Sequence, residues 1–539
     1  MLSVLVCYSS LDCHGNELAV VLPEKAGASV LPSECCSVGV RGLSYSQSEE
    51  QCLNCYSESV WFKCSNIYDN IIYTHPYIAN DEFESYGNNF YFGLFSNFQP
   101  VDFFRIGKVR LSVSPVNAEE TSFTVEVQGK ESKYTAPTEV ELKAADIILD
   151  SMKIRDQAVL VKSENGDLLS VVAFTEEYSS SDTFRVMPPV RLPDTGYEYY
   201  AVSVPRARLT LPASDGGEDI IAPPEGKSAV VLVTTEDNTG ITVTLTQDIT
   251  NVDANDIIDQ IGGQTLSAGV EYSFTFSKAM QTLYLASDDD LTGSRVISNK
   301  PISFISGHEC GTVPFDIHFC DQLVEQLPPS STWGKRFITA PIASRYAVDI
   351  FRIVASRDST EVQSNCLQDS LNLDAGEFTE FNVSSSSYCY FESSQPLIMV
   401  QFSVASDLDN VLEGDPFMVV IPPVEQYRNS YVISTFNSSD ETNPGVNYIN
   451  ILVPADSGGP EGVRFDGQPL PSSVQFIEIN CISSEVTCAY AAQMNITMAS
   501  HLLSTSDPNA TVNAIIYWLS FRVGHGYFAG MTQKPTTCE

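Results

Sequence analysis

Short runs of alternating apolar and polar residues dominate this chain, and helical periodicity is almost absent. "SFTVEVQG" (122–129), "ITVTLTQ" (241–247) and "EYSFTFS" (271–277) read as strands with one buried face and one wet face. Gly, Pro, Asn, Asp and Ser separate such runs, as turns require. The pattern leaves room for two short helices, Asp253 to Ile261 and Asp321 to Gln326.

Above the single strand lies an internal repeat. "KVRLSVSPVNAEETSFTVEV" (108–127), "SAVVLVTTEDNTGITVTLTQ" (228–247), "DIFRIVASRDSTEVQSN" (349–365) and "NYINILVPADSGGPEGVRFDG" (447–467) each give an apolar strand and a polar turn, usually followed by a second strand. A second element follows each: "QAVLVKSENGDLLSVVAFT" (157–175), "GSRVISNKPISFISGHE" (293–309), "YCYFESSQPLIMVQFSVA" (388–405) and, less regularly, "VTCAYAAQMNITMASHLL" (486–503). These are strand–turn–strand segments centred on Asn-Gly, Asn-Lys-Pro or Ser-Gln-Pro, and Asn-Gly is a strong hairpin signal. A Pro-containing join closes each unit, since proline cannot donate to a sheet ladder. The expected fold is all-β, with four tandem sandwich-like units at 85–195, 196–332, 333–428 and 429–531, a Cys-rich segment at 1–84 and a tail at 532–539. Joins this short leave little linker to flex, so a rigid array is expected.

At 539 residues the chain exceeds the roughly 250–300 residues one core supports, so several cores are needed. A hydrophobic content of 43% is enough to build them. The net charge of −39 argues against nucleic acid and against an acidic lipid leaflet, because both need a basic patch. Solubility accounts for that charge without a ligand; calcium or a cationic partner is the sharper reading. No stretch reaches the ~18 consecutive apolar residues of a membrane span, so no membrane insertion is expected. The apolar run Leu2 to Val6 is too short for the core of a signal peptide, so the export signal is expected to lie outside this sequence, or Met1 not to be the true start.

Export is inferred from cysteine usage instead. There are fourteen cysteines, and seven of them precede residue 65. Among the others, Cys310 with Cys320, Cys366 with Cys389, and Cys481 with Cys488 are spaced as disulfides across loops of an oxidised protein. Removing those couples leaves Cys7, Cys13, Cys35, Cys36, Cys52, Cys55, Cys64 and Cys538, an odd set plus a terminal cysteine. Cys538 is expected to find its partner outside 85–531, in the early segment, in another chain or in a following module. Sequons at Asn382, Asn437, Asn495 and Asn509 fit a secreted glycoprotein.

Candidate chemistry is sparse. His308-Glu-Cys310 and His318-Phe-Cys320 could supply four zinc ligands, but an oxidising compartment favours a Cys310–Cys320 bond. Acidic turns at 234–240, 287–293 and 406–416 are weak calcium candidates without EF-hand spacing, and no cofactor is expected. No nucleophile elbow, P-loop or dinucleotide fingerprint occurs, so the chain is expected not to be an enzyme.

From Phe90 to about Phe528 the chain resembles the N-terminal domain of the IgG-Fc-binding protein family. The resemblance rests on "NKPISFISGHECGTVP" (299–314), "CDQLVEQLPPSSTWGKRFITAPI" (320–342), "DIFRIVASRDSTEV" (349–362), "GEFTEF" (376–381) and "GDPFMVVIPPVEQY" (414–427). It implies an extracellular β-rich domain of mucus-type and adhesive proteins. No residue motif for antibody binding carries over. The expected function is adhesion or matrix binding to an extracellular protein or glycan through sandwich loops. The alternatives are a carbohydrate-active enzyme with paired carboxylates, and a matrix subunit that oligomerises through spare cysteines.

Overall fold

The computed structural model describes residues 4–11, 17–23, 85–97, 108–116, 119–177, 180–192, 196–206, 210–212, 218–220, 226–250, 252, 265–314, 320–409, 411–436 and 444–535. The chain divides into two compact units, 1–82 with 537–539 and 83–536. In the first, strands Val4–Leu11 and Glu17–Pro23 pair antiparallel. Cys7 lies on the first of these strands, whereas Cys13, Cys35, Cys36, Cys52, Cys55, Cys64 and Cys538 fall outside the described residues.

The second unit is all-β, and one strand order recurs along it. The first segment has strands Asn89–Phe92, Lys108–Pro115, Thr121–Val127, Lys130–Ala136, Thr138–Lys143, Val159–Ser163, Leu169–Glu177 and Ser180–Val186. Counted in that order, one sheet runs eighth, seventh, second, fifth, and the other runs first, sixth, third, fourth. The segment from Tyr197 to Gln326 repeats both orders with eight strands of its own. From Gly334 to Ile421 the order is kept, but the sixth and seventh strands are fused into Cys389–Ser403. Its first part pairs with Gly334–Thr339 and Thr360–Ser364, and its second with Val348–Ala355 and Phe417–Ile421. From Ser430 to Phe528 the order recurs again, with Ile477–Asn480 added beside the fifth strand.

This connectivity corrects the expected hairpins. Val159–Ser163 and Leu169–Glu177, on either side of Asn165-Gly166, belong to opposite sheets and do not pair. The same holds for Arg295–Ser298 and Ile302–Gly311. The segments 157–175, 293–309 and 486–503 are crossings between layers, and in 388–405 the expected turn at Ser394-Gln395-Pro396 lies within the single strand Cys389–Ser403. Alternation reports which face is wet, not which neighbour a strand pairs with, so the two look alike in sequence. In the last segment, 486–503 covers the fifth and sixth strands; the counterpart of the other crossings joins Ser500–Thr505 to Asn513–Ser520.

A second correction concerns Asp321–Gln326. It is a strand, not a helix, and all six of its residues are buried. It is the eighth strand of its segment and forms a sheet edge. The other expected helix, 253–261, lies outside the described residues.

The layers are packed against one another on both faces. In strand Ser228–Thr234, Val230 and Leu232 face the sheet of Ile241, Phe274 and Phe276. Ala229, Val231 and Val233 instead join the core of the first segment, with Phe92, Val113 and Val171. Val172 and Phe174 of the first segment pack with Ile433, Ile451 and Tyr527 of the last. Two-sided burial explains why these strands read as unbroken apolar runs.

Packing closes around the four eighth strands. Ser180–Val186 contacts Asp321–Gln326, which contacts Phe417–Ile421, which contacts Val523–Phe528, which returns to Ser180–Val186. Each is an edge strand with free backbone donors, and buried donors must be paired. The Asp182 carboxyl accepts the N–H groups of Val324, on a second of these strands, and of Thr183, and the Met418 and Gly526 N–H groups of the other two strands favour its charged form from farther off. The Val324 and Thr183 bonds measure 2.8 and 2.7 Å. Asp321 accepts the Ser181 N–H at 2.7 Å, and Glu325 accepts the Val420 N–H at 3.1 Å. His525 Nδ1 lies 2.7 Å from Thr183 Oγ1.

These groups are fully buried, and burial pushes Asp182, Asp321 and Glu325 well above the carboxylate range. Nearby, burial lifts Asp349 to about 7 and Asp415 to about 8. It also pulls His308 and His525 down to about 3. A carboxyl raised on folding contributes stability that is present at acid pH and lost as pH climbs through its folded value. A depressed histidine gives the opposite slope, but only below its ordinary value near 6.5. Between 6.5, the ordinary histidine value, and the 8 of Asp415 only the carboxyl slope operates. The midpoint of thermal unfolding is therefore expected to fall as pH rises through that window; a flat or rising curve would contradict the assignment. Asp182→Ala orphans the buried N–H groups of Val324 and Thr183, each costing about 1–3 kcal/mol. Its expected cost, measured by denaturant unfolding, is about 2 kcal/mol or more.

Candidate functional site

Each of the three local cysteine couples is joined. Cys310–Cys320 spans the link between the seventh and eighth strands of the second segment, with Cα atoms 5.0 Å apart. Cys366–Cys389 and Cys481–Cys488 have Cα separations of 5.7 and 4.9 Å. Cys310 and Cys320 therefore offer no thiolate to a metal. His308 is buried, and its Nδ1 accepts the Cys310 N–H at 3.0 Å; His318 lies outside the described residues. Asn382, Asn495 and Asn509 are exposed, and Asn437 lies outside the described residues.

The acidic turns spend their carboxylates on the protein itself. Glu236 pairs with Arg191 at 2.9 Å, and Asp237 accepts the Ala279 N–H. Asp288 pairs with Arg206, and Asp290 with Arg352. Among the described residues, no three acidic, histidine or cysteine side chains are grouped to hold a metal ion.

The third acidic turn, 406–416, does something else. Arg345 is buried beneath it and pairs with Asp409 at 3.1 Å, with side chains only 0% and 4% exposed. Its Nη1 and Nη2 reach the carbonyls of Glu413 and Ala405 at 3.0 and 2.7 Å, while Nε has no hydrogen-bond partner among the described residues. Asp409 also accepts the Tyr346 N–H at 3.0 Å. The turn is stitched to the last segment, where Arg522 N–H donates to the Leu412 carbonyl and Gly414 N–H to that of Ser520. Ser344 and Arg522 take left-handed φ angles of 61° and 53°, a conformation that non-glycine residues hold only when surroundings fix it. On this frame three large apolar side chains face solvent: Tyr346 at 80% exposure, Phe521 at 54% and Leu412 at 52%. The Arg522 guanidinium lies 5.5 Å from the Phe521 ring centre. An apolar group on a rigid polar frame is what a protein-binding surface needs.

A second feature is a cleft of about 430 Å³ between the second and third segments. Glu198, Arg295, Arg357 and Asp358 line it, together with Thr244, Thr246 and the backbones of Gly293 and Gly376. Glu198 is committed: Oε1 receives Arg295 Nε at 2.7 Å and Nη2 at 2.6 Å, and Oε2 receives Ser330 Oγ at 2.8 Å. Burial first, and Glu198 second, push the Tyr200 hydroxyl up to about 12, so it stays a donor. A catalytic carboxyl pair needs an available acid, and Glu198 has both oxygens occupied.

Sequence reasoning missed all of these surface residues. Tyr346 and Phe521 are single aromatics in polar turns, and the only signal was an adjacent arginine in each case. They come together because segments 175 positions apart in sequence are joined by the Arg345–Asp409 frame, which no local pattern encodes.

Comparison with known proteins agrees with the architecture. The family model described as IgGFc binding protein matches residues 186–517, well over half of the chain. The human IgGFc-binding protein is 30% identical over 185 residues, an alignment that takes in 34% of this chain and 3% of that much longer protein. With the matched region running from the first central edge strand to the seventh strand of the last segment, the chain belongs to the IgGFc-binding protein family.

Proposed function

We propose that this chain is a secreted, non-catalytic binding protein that grips an extracellular protein through Tyr346, Leu412 and Phe521. The observation that carries the reading is three exposed apolar side chains on a frame locked by a buried ion pair. Ordering costs are then met before the partner arrives, which favours affinity. The disulfide-joined couples and the exposed sequons at Asn382, Asn495 and Asn509 support an extracellular setting. The charge of −39 supports a partner with a basic rim, whose association slows as salt is added.

The human relative's name specifies IgG Fc, so Fc is the first ligand to test. Immobilised Fc is expected to retain the full chain, and Tyr346→Ala with Phe521→Ser to weaken retention at least tenfold, about 1.4 kcal/mol. Absence of Fc binding rejects this ligand, and binding undiminished in the double variant rejects this surface.

The frame has its own test. Arg345→Met leaves Asp409 buried without its cation, a change expected to cost about 3 kcal/mol. Amide exchange should quicken across 405–414 while the eighth strands stay protected. Uniform exchange over the whole unit would show that Arg345 does not act locally.

A further inference from the structure

We propose that the cleft between the second and third segments binds an uncharged pyranoside through its vicinal hydroxyls. The site is separate from the Tyr346 surface and does not depend on it.

The floor comes first. Gly293 and Gly376 hold left-handed φ angles of 84° and 79°, and a Cβ on Gly293 would lie 2.4 Å from the Gly376 carbonyl oxygen. Side chains are thus barred from the floor, which leaves a shallow space of about 430 Å³ open to solvent. Bare backbone at a floor is where a ligand ring can approach closely.

The walls carry donors and acceptors side by side. Arg357 is 63% exposed, and its Nη1 lies 3.8 Å from Glu198 Oε2 and donates to the Ser356 carbonyl. Among the described residues its Nε and Nη2 make no hydrogen bond. Asp358 uses Oδ1 for the Ala375 N–H at 3.1 Å, and Oδ2 is uncommitted among those residues. A forked donor next to a carboxylate acceptor matches two adjacent hydroxyls, each of which both gives and accepts. The stems of Arg295 and Arg357 offer a C–H face something to rest on.

Charge narrows the ligand. Glu198 answers Arg295 at 2.6 Å, and Asp358 sits beside Arg357, so the lining has no surplus positive charge. An anion would gain little and would enter the field of a chain of −39. An apolar ligand would strand the polar walls. An uncharged polyol suffers neither penalty.

The test is saturation-transfer NMR on the full chain with the methyl glycosides of mannose, galactose and N-acetylglucosamine. Glucuronate and inorganic sulfate serve as charged rivals. At least one neutral glycoside is expected to bind saturably at roughly 1–10 mM, as a few neutral hydrogen bonds allow. Arg357→Ala and Asp358→Ala lie in an exposed turn and should keep the unfolding midpoint while each loses at least tenfold in binding. No saturable signal from any of the three glycosides would overturn the proposal. So would signals unchanged in both variants, or stronger binding of glucuronate or sulfate than of every neutral sugar.

Discussion

A sheet that ends must leave backbone donors unpaired, and within the 83–536 unit four sheet edges meet. Buried acidic side chains answer some of these donors: Asp182 accepts the Val324 N–H, Asp321 that of Ser181 and Glu325 that of Val420, each bond running from one edge strand to another. Burying such groups is expensive unless they are paired; one oxygen each of Asp321 and Glu325 meets a backbone N–H, while Asp321 Oδ2 and Glu325 Oε2 have no hydrogen-bond partner among the described residues. With that centre in place, the outer faces of the 8-7-2-5 sheets can pack on adjacent segments.

Packing at the centre also sets how the periphery is presented. Loops at the ends of a sandwich usually move, and moving loops present no fixed surface. Here the 405–414 turn is tied by Arg345 to one segment and by backbone bonds to the next. Tyr346, Leu412 and Phe521 inherit their relative positions from that packing. The cleft beside Arg357 arises likewise, because two sandwiches meet through bare glycine backbone.

The family strings fall largely on the centre. "CDQLVEQLPP" contains the eighth strand of the second segment, and "GDPFMVVIPP" contains that of the third. Membership of the family therefore speaks first for a shared way of closing the body. Tyr346 lies between two of the strings, 320–342 and 349–362, and Arg357 and Asp358 sit at the turn within the second of these. A scaffold common to a family does not by itself fix the ligand.

The sequence by itself determined the all-β class, the position of most strands, the recurrence of a common pattern and the pairing distance of three cysteine couples. Each of these depends on neighbours a few to about twenty residues away, so spacing and alternation carry them. The tertiary structure decided the rest. It turned expected hairpins into layer crossings, because alternation cannot say which sheet a strand joins. It made Asp321–Gln326 a strand, in which Asp321 and Glu325 are acceptors for donors on other segments, Ser181 lying 140 positions away and Val420 lying 95. It set Tyr346 beside Asp409, and Glu198 beside Arg295 and Ser330, pairs separated by 63, 97 and 132 positions. Contacts over such separations depend on how whole layers stack, and stacking leaves no period in the chain.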